Sequence, residues 1–591
     1  MSRAAFELYG NQLLLDNARQ FQDTKKWLDK ILAGLYPYEK RDITREFARR
    51  NNKPLKAESG EFNRHWSASI YARNAARQKH RDRDCKFFRS LKTVYGDRAI
   101  FKTNVRAWAV SYAVQCKKIL SYTESSAEKN REEVIKQVCL LIRAQGIEPP
   151  HFDAENEYPF CLRVISADWW NRRGERALFQ MREHWQIKQG NVAFDRDLYV
   201  SGEGLERSQR QEEENAAFLD MFELQNEAGQ TVDMAEMFNR SSACPEKRSI
   251  ELKMRMRGLQ ELALLDGWVC EFVTWTAPSK YHATKKFKTS RKSKRNSKYN
   301  GATPVETNKY LGNQFQKCRA KLHRKGLSWY GLRVVEPHHD GTPHWHMIIF
   351  MPPEERAEIK QIIRHYATEH EKAELKKTEK PRIDFKTLDL EDERGGAVGY
   401  MVKYIAKNIG DGEHENEKDL EDDRQTIAET AKRATAWARI WRIRQYQFFG
   451  SASVTTYREL RRYTGDIPAD VKPLFVAADK GDWATYQKLF AGYQPKMIEE
   501  VTGECNQWGE LTAQVVGVEV LGFSFITRVS EWVKRKKQGD SPVTRSTVSN
   551  YSGVKNRQRF YTASEWELVK DLPNRYRELA LLSQTQEELA A

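Results

Sequence analysis

The sequence predicts an α+β protein: a central domain with an antiparallel β-sheet flanked by helices, a largely helical N-terminal region before it and a small C-terminal region after it. Three observations carry this. The first 150 residues are rich in Lys, Arg, Glu and Ala with few Pro or Gly, and EEVIKQVCLLIRAQGI has helical spacing that ends at a glycine before Pro149 and Pro150. WVCEFVTWTA, beginning at Trp268, has the β-branched and aromatic content of a strand. GLRVVEPHHDGTPHWHMIIFM, residues 331–351, places alternating apolar residues on both sides of a short polar turn, the pattern of a β-hairpin.

Size and charge bound the function. The chain has 591 residues, which at about 150 residues per domain suggests three or four domains. Lys and Arg number 99 against 82 Asp and Glu, a formal charge of 99 − 82 = +17. A basic balance of this size favours a polyanionic partner, because Lys and Arg that neutralise phosphates release condensed counterions. A 40% hydrophobic share supports real cores, and mean hydropathy of −0.77 indicates a heavily solvated surface. No stretch has the roughly 18 consecutive apolar residues of a membrane span, so a cytoplasmic protein is expected. The eight cysteines lie far apart with no C-x-x-C pair, which argues against a disulfide framework and a zinc ribbon.

Along the chain, residues 1–150 read as a helical region of unassigned role, with a basic, aromatic run at 65–92 that suits a solvated helix better than a nucleic-acid face. Residues 151–245 read as a second helical region. Its Trp169–Trp170 pair, followed by Arg172 and Arg173, suits core packing better than a base-stacking platform. A domain over 246–465 begins with a helix opened by Pro245 and ended by Gly267. The stretch at 281–300 (YHATKKFKTSRKSKRNSKYN) has many Lys and Arg and no acid, and reads as a disordered basic loop. Lys285, Lys286, Arg291 and Lys292 there are candidate DNA contacts. Arg444, Gln445 and Gln447 on RQYQFFG are further candidates, although the alternation equally suits a sheet strand with polar side chains to solvent. The acid-rich run at 411–423 lacks the register of a calcium loop and reads as an exposed loop. Residues 466–591 form a C-terminal region with a tail expected to be disordered.

Two constellations carry chemistry. If His339, Asp340 and Gly341 form a three-residue loop, His338 faces Thr342 and Glu336 faces His344. Side chains alternate with period 2, so Glu336, His338, His344 and His346 share one face. Two imidazoles at i and i+2 with a carboxylate opposite suit a three-ligand site for a divalent metal, Mg²⁺ or Mn²⁺, with positions left for water and substrate. In GGAVGYMVKYIAKNIG (395–410), Val398, Met401, Val402, Ile405 and Ile409 form an apolar helical stripe. Tyr400, Lys403, Tyr404 and Lys407 form the complementary one, interleaving two phenols with two ammonium groups. A phenol is a poor nucleophile at neutral pH unless cations or a metal stabilise its phenolate. Together the two describe phosphodiester chemistry in which tyrosine attacks phosphorus.

EPHHDGTPHWH followed about fifty residues later by GYMVKYIAKN resembles the two-tyrosine HUH endonucleases, specifically the bacteriophage replication gene A proteins that initiate rolling-circle replication. ADWWNRRGERA, EFVTWTAPSKYHA, NGATPVETNKYL, ARIWRIRQYQFFGSASVTTYRELRR and the Gly481-Asp482-Trp483 neighbourhood extend the similarity over roughly 150–535. The resemblance implies a five-stranded antiparallel core sheet. It implies His344 and His346 as paired metal ligands, Glu336 as the third with His338 as substitute, and Tyr400 and Tyr404 as nucleophiles. One tyrosine would cut the origin strand, keep a 5′-phosphotyrosine and free a 3′-OH; the other would attack the regenerated junction. Lys403 and Lys407 would offset developing negative charge, and Thr274 and Thr276 would support the site. Single-stranded or supercoiled origin DNA is the implied substrate. No G-x-x-x-x-G-K-[ST] occurs, so unwinding is expected to need a host replicative helicase, alongside a host polymerase. Two other readings stand beside this one: a two-tyrosine transposase or relaxase acting on mobile-element DNA, and an origin-binding protein that does not cut.

Overall fold

The computed structural model describes residues 105–121, 128–153, 156–287, 292–392, 396–409 and 426–537. The run at 65–92, the acidic run at 411–423, Arg291 and the last 54 residues lie outside the described residues.

Four helices open the described chain: α1 (Val105–Ser121), α2 (Glu128–Ala144), α3 (Glu157–Ile165) and α4 (Ala167–Lys188). They enclose a core in which Trp108, Tyr112, Trp169 and Trp170 meet edge to face or tilted, with ring centroids 5.2–5.4 Å apart. The tryptophan pair is therefore core, as its setting among helical apolar residues suggests. Gly174 makes the packing feasible, because a Cβ there would lie 2.4 Å from the Trp108 ring. Next come α5 (Gly202–Asp220), β1 (Phe222–Asn226), β2 (Thr231–Asp233) and α6 (Met234–Arg240). The β1–β2 hairpin interrupts a stretch that reads as helical, and its outer partner is a strand from the far end of the chain.

The helix α7 (Pro245–Leu265) and strand β3 (Val269–Thr276) fall where the sequence places them. The basic stretch is not a loop throughout: β4 (Thr284–Lys286) and β5 (Ser293–Arg295) pair antiparallel around the undescribed 288–291. Polar anchors explain this ordering. Asn296 is buried and donates to the carbonyls of Ser279 and His282, and the Thr284 amide donates to the buried Asp340.

The remaining elements are α8 (Pro304–Arg324), β6 (Tyr330–Pro337), β7 (Pro343–Met351), α9 (Arg356–Ala367), β8 (Ile383–Leu388), α10 (Gly396–Ile409), α11 (Ile427–Trp441), β9 (Tyr446–Phe449), α12 (Val454–Leu460), α13 (Lys472–Asp479), α14 (Trp483–Tyr493) and β10 (Lys496–Cys505), β11 (Leu511–Val520), β12 (Phe523–Ile526) and β13 (Trp532–Lys536). β13 joins β1 and β2, and β10–β12 form a separate meander. No described helix is long and apolar enough to cross a membrane.

The central sheet has five strands in the order β8-β3-β7-β6-β9, all antiparallel. Both of its faces are buried. Val335, Trp345, Met347 and Ile349 pack on one side with Leu311 and Phe315 of α8, Ile359 of α9 and Trp437 of α11. Leu332, Val334, Ile348 and Phe350 pack on the other with Met256 of α7 and Met401 and Ile405 of α10. Burial on both sides explains why β7 is apolar at nearly every position instead of alternating with charge. By the same parity, Glu336, His344 and His346 stand on the face that α10 covers.

Candidate active site

The hairpin turn sets the site. Glu336 pairs with His344 directly across the ladder, and the His338 amide donates to the Thr342 carbonyl at 2.7 Å, so the loop is His339-Asp340-Gly341. Gly341 has φ of +78°, a conformation costly for any residue with a Cβ. Trp437 holds the loop from outside, its Nε1 donating to the Gly341 carbonyl at 2.8 Å, and within the turn the Thr342 amide donates to Asp340 Oδ1 at 3.1 Å. Burial alone would raise the Asp340 carboxyl, but His282 at 3.6 Å and the neighbouring histidines pull it well below the usual carboxylate range.

Glu336, His344 and His346 form the group of buried His and carboxylate side chains among the described residues whose ligand atoms all lie within 4.8 Å of one another. Nε2 of His344 and Nε2 of His346 are 2.9 Å apart, and Glu336 Oε2 is 3.7 Å from His346 Nε2. His338 stacks on His344 with centroids 3.9 Å apart but stays outside this group. Burial holds His344 well below the ordinary imidazole value, with His346 and Lys407 adding to the effect. Burial likewise brings His346 down to about 3, helped by Lys407 and His338. Both rings are therefore neutral near pH 7, the form that donates a lone pair to a metal. Thr274 Oγ lies 3.2 Å from His346 Nδ1, which orients that ring and leaves Nε2 toward Glu336. Two neutral imidazoles and a carboxylate, with no thiolate, are a donor set that fits a divalent cation.

The tyrosine helix lies over this centre. Tyr404 approaches His346 with ring centroids 4.5 Å apart, and Tyr400 is 5.8 Å from Tyr404. Phe272 of β3 touches all three rings, stacking on His346 and Tyr404 at 5.3 Å and meeting Tyr400 edge on at 4.6 Å. Lys407 Nζ is 3.8 Å from Glu336 Oε2 and 5.7 Å from the Tyr199 ring centroid. Lys403 lies in α10, and its side chain is outside the described residues.

Two residues of the site escape a reading of motifs. Lys386 of β8 places its ammonium 4.5 Å from the centroid of Tyr400. Asn408 is buried, donates from Nδ2 to Glu336 Oε1 and to the Tyr404 carbonyl, and accepts from Gln445 at 3.0 Å. Its spacing from Tyr400 and Tyr404, i+8 and i+4, is the signal that assigns it to the tyrosine face. Nothing local marks Lys386, which arrives through strand pairing.

The candidate DNA contacts divide. Gln445 is buried and donates to Asn408, whereas Gln447 is half-buried and accepts from Arg333, so both side chains are engaged within the protein. The stretch is a sheet strand, as the other expectation had it, but its polar side chains are not all turned to solvent: Gln445 points inward, because the sheet is covered on both faces. Arg444 is exposed, with Nε donating to the Tyr446 carbonyl at 3.1 Å. On the β4–β5 hairpin, Lys286 lies 3.7 Å from the Phe194 ring centroid, and Lys285 and Lys292 flank it.

Fold and site together define a protein with a buried carboxylate and bis-histidine centre on an antiparallel sheet, overlain by a two-tyrosine helix. Residues 98–412 match the model of the bacteriophage replication gene A protein (GPA) family, and the chain belongs to that family. It is similar to the replication gene A protein of Escherichia phage 186, 37% identical over 69% of this chain and 63% of that protein. It is similar to the probable replication protein P12 of Pseudoalteromonas phage PM2, at 36% over 69% and 63%. A probable replication endonuclease from a prophage-like region of Salmonella paratyphi A is 31% identical over 70% of this chain and 54% of that protein. The matched segment thus spans about three-fifths of the first of these relatives, 63%. No solved structure matches.

Proposed function

We propose that the protein is a metal-dependent, site-specific single-strand DNA endonuclease and strand transferase that nicks a phage replication origin. It forms a 5′-phosphotyrosine link and frees a 3′-OH from which rolling-circle replication starts. The observation that carries this is the juxtaposition of two tyrosines one helical turn apart with the buried centre, the Tyr404 ring 4.5 Å from that of His346. Glu336, His344 and His346 would hold Mg²⁺ or Mn²⁺, which when bound supplies Lewis-acid polarisation of a phosphate oxygen.

The chain's own residues do the rest. A tyrosine oxygen forms the new bond to phosphorus as the bond to the 3′ oxygen breaks, and the phenolic proton leaves as the 3′-OH is completed. The second tyrosine repeats the exchange on the regenerated junction, so each phosphodiester is conserved without net hydrolysis. Lys386 stands beside Tyr400, and Lys407 stands between Glu336 and Tyr199; both favour negative charge developing at the centre. Lys403 belongs to the same stripe and is assigned the same role. Asn408 ties the tyrosine helix to the carboxylate, fixing the phenols relative to the ligands. Unwinding and synthesis would fall to a host helicase and polymerase. The replication names carried by the relatives favour this reading over a transposase or relaxase with the same centre.

The test incubates the protein with Mn²⁺ and a 3′-labelled single-stranded phage-origin oligonucleotide, then resolves covalent adducts on denaturing gels. An EDTA-sensitive adduct is expected from the wild type, Y400F and Y404F, and none from the double variant. Tight binding with no adduct from any origin-like strand would replace this reading with that of a non-cutting origin-binding protein.

A further inference from the structure

Helix α4 carries Arg172, Arg173 and Arg176 within little more than one turn, with Gln180 a turn further on. Gln180 Nε2 donates to the Ile440 carbonyl at 2.8 Å, which docks the C-terminal end of α11 against this helix. Arg442 then caps α11 in the left-handed conformation, φ +52°, two residues beyond that contact. Trp508, in the turn between β10 and β11, lies beside them, with the Arg172 guanidinium 6.0 Å and that of Arg163 5.4 Å from its ring centroid. Arg173 lies 5.6 Å from the centroid of Trp169.

Arg163 is ion-paired with Glu510 at 2.6 Å. Arg172, Arg173, Arg176 and Arg442 have no carboxylate within ion-pairing distance among the described residues. Glu175, in the same turn, is exposed and accepts from Asn171 at 3.2 Å. Burial brings Arg176 down to about 10, with Arg442, Arg173 and Arg172 pushing the same way. Arg173 is lowered by burial and by Arg442, Arg172 and Arg163. Gathering cations that repel one another in a half-buried setting opposes folding, and an external polyanion reverses the sign.

We propose that Arg172, Arg173, Arg176 and Arg442 bind the phosphodiester backbone of single-stranded DNA at a site separate from Tyr400 and Tyr404. Planar guanidinium forks match phosphate oxygens. Base stacking has no platform here, since Trp169 and Trp170 are buried and guanidinium groups lie over Trp508, so the contact carries no sequence preference. The location suits a strand leaving the tyrosines. Thr435 of α11 donates to the Asn408 carbonyl at 3.1 Å, and Arg442 follows seven residues on, about 10 Å at 1.5 Å per residue.

The test is fluorescence anisotropy of a labelled single-stranded oligonucleotide of arbitrary sequence with the full chain, across a salt series without divalent metal. The double variant Arg176→Gln with Arg442→Gln is expected to weaken binding about tenfold at 0.1 M salt and to reduce the slope of log affinity against log salt by about 1.4, two single-strand phosphates' worth. The corresponding lysine double variant restores the slope, and the glutamine variant melts no lower than the wild type. An unchanged slope in a folded glutamine variant overturns the proposal and turns attention to an acidic protein partner. A melting temperature that falls in both variants, with no rescue by lysine, overturns it in favour of a structural cluster. The assay reads binding alone, so its failure leaves the nicking reading standing; loss of the adduct in the tyrosine variants does not move the salt slope.

Discussion

Asn408 donates from its side-chain amide to the Glu336 carboxylate while donating also to the carbonyl of Tyr404, so one buried residue joins the helix of the tyrosines to the sheet of the histidines. Gln445 donates to Asn408 Oδ1 at 3.0 Å and fixes which way the amide points.

Asn408→Ala removes the donor that satisfies a buried carboxylate oxygen. The expected cost is about 1–3 kcal/mol of stability, with a loss of Mn²⁺ affinity of roughly 10–100-fold, the scale of an outer-sphere partner. Calorimetric titration with Mn²⁺ and a denaturant melt of the same variant check both. Asn408→Asp, which sets a second negative charge against Glu336, is expected to lose more than alanine does.

The two candidates for the third ligand separate by mutation. Glu336→Gln is expected to abolish Mn²⁺ binding and His338→Ala to leave it within a fewfold of wild type, because His338 stacks on His344 without joining the group of converging ligand atoms. Retention of tight binding by the glutamine variant and loss by the alanine variant would reverse the assignment.

Lys386 faces Tyr400 and its contact does not extend to Tyr404, so its removal is expected to act on one nucleophile. Lys386→Met should slow adduct formation in the Y404F background about tenfold, roughly 1.4 kcal/mol of lost charge stabilisation, and leave the Y400F background within twofold. Peptide mapping of the adduct in the single Lys386 variant should show the label shifting toward Tyr404. Equal slowing of both backgrounds would remove Lys386 from the site.

Glu183 predicts a pH dependence of stability. Its carboxylate is buried and accepts from the Ser201 amide at 2.8 Å, and burial outweighs that hydrogen bond and the Ser201 hydroxyl, raising it to about 7. A carboxyl whose folded value exceeds its unfolded value of about 4.5 binds its proton more tightly when folded. Its contribution is fully present below pH 4.5 and is lost as pH rises to about 7, on the order of 3 kcal/mol. Melting temperatures measured between pH 4.5 and 8 should fall more steeply for the wild type than for Glu183→Gln; parallel curves would refute the assignment.

What the sequence makes legible follows from the range of the interaction. The hairpin partners Glu336 and His344, the turn at Gly341, the α7 boundaries and the shared face of Tyr400 and Tyr404 all depend on spacing within one or two elements, and the structure places them as the periodicity does. Lys386 reaches Tyr400 only because β8 pairs with β3, whose Phe272 lies against the tyrosines. β1 exists as a strand because Trp532–Lys536 pairs with it from about three hundred residues away, a partner invisible to local pattern. The basic stretch orders through Asn296 and Asp340, two polar anchors that composition averages over. Gln445 looks like a surface reader because alternation gives two faces without saying that both are covered.

Because the central sheet is enclosed on both sides, its strands cannot trade neighbours. Sliding β7 by one residue would bring Trp345 and Met347 to the tyrosine side and drive two imidazoles into the apolar layer beneath α8 and α11. Alignment is therefore all or nothing, and folding itself brings together Glu336, His344 and His346, the cluster proposed to hold the metal. A lesion in that layer, such as a cavity under Trp345, should then read out first as lost metal affinity in a protein that still looks folded by circular dichroism.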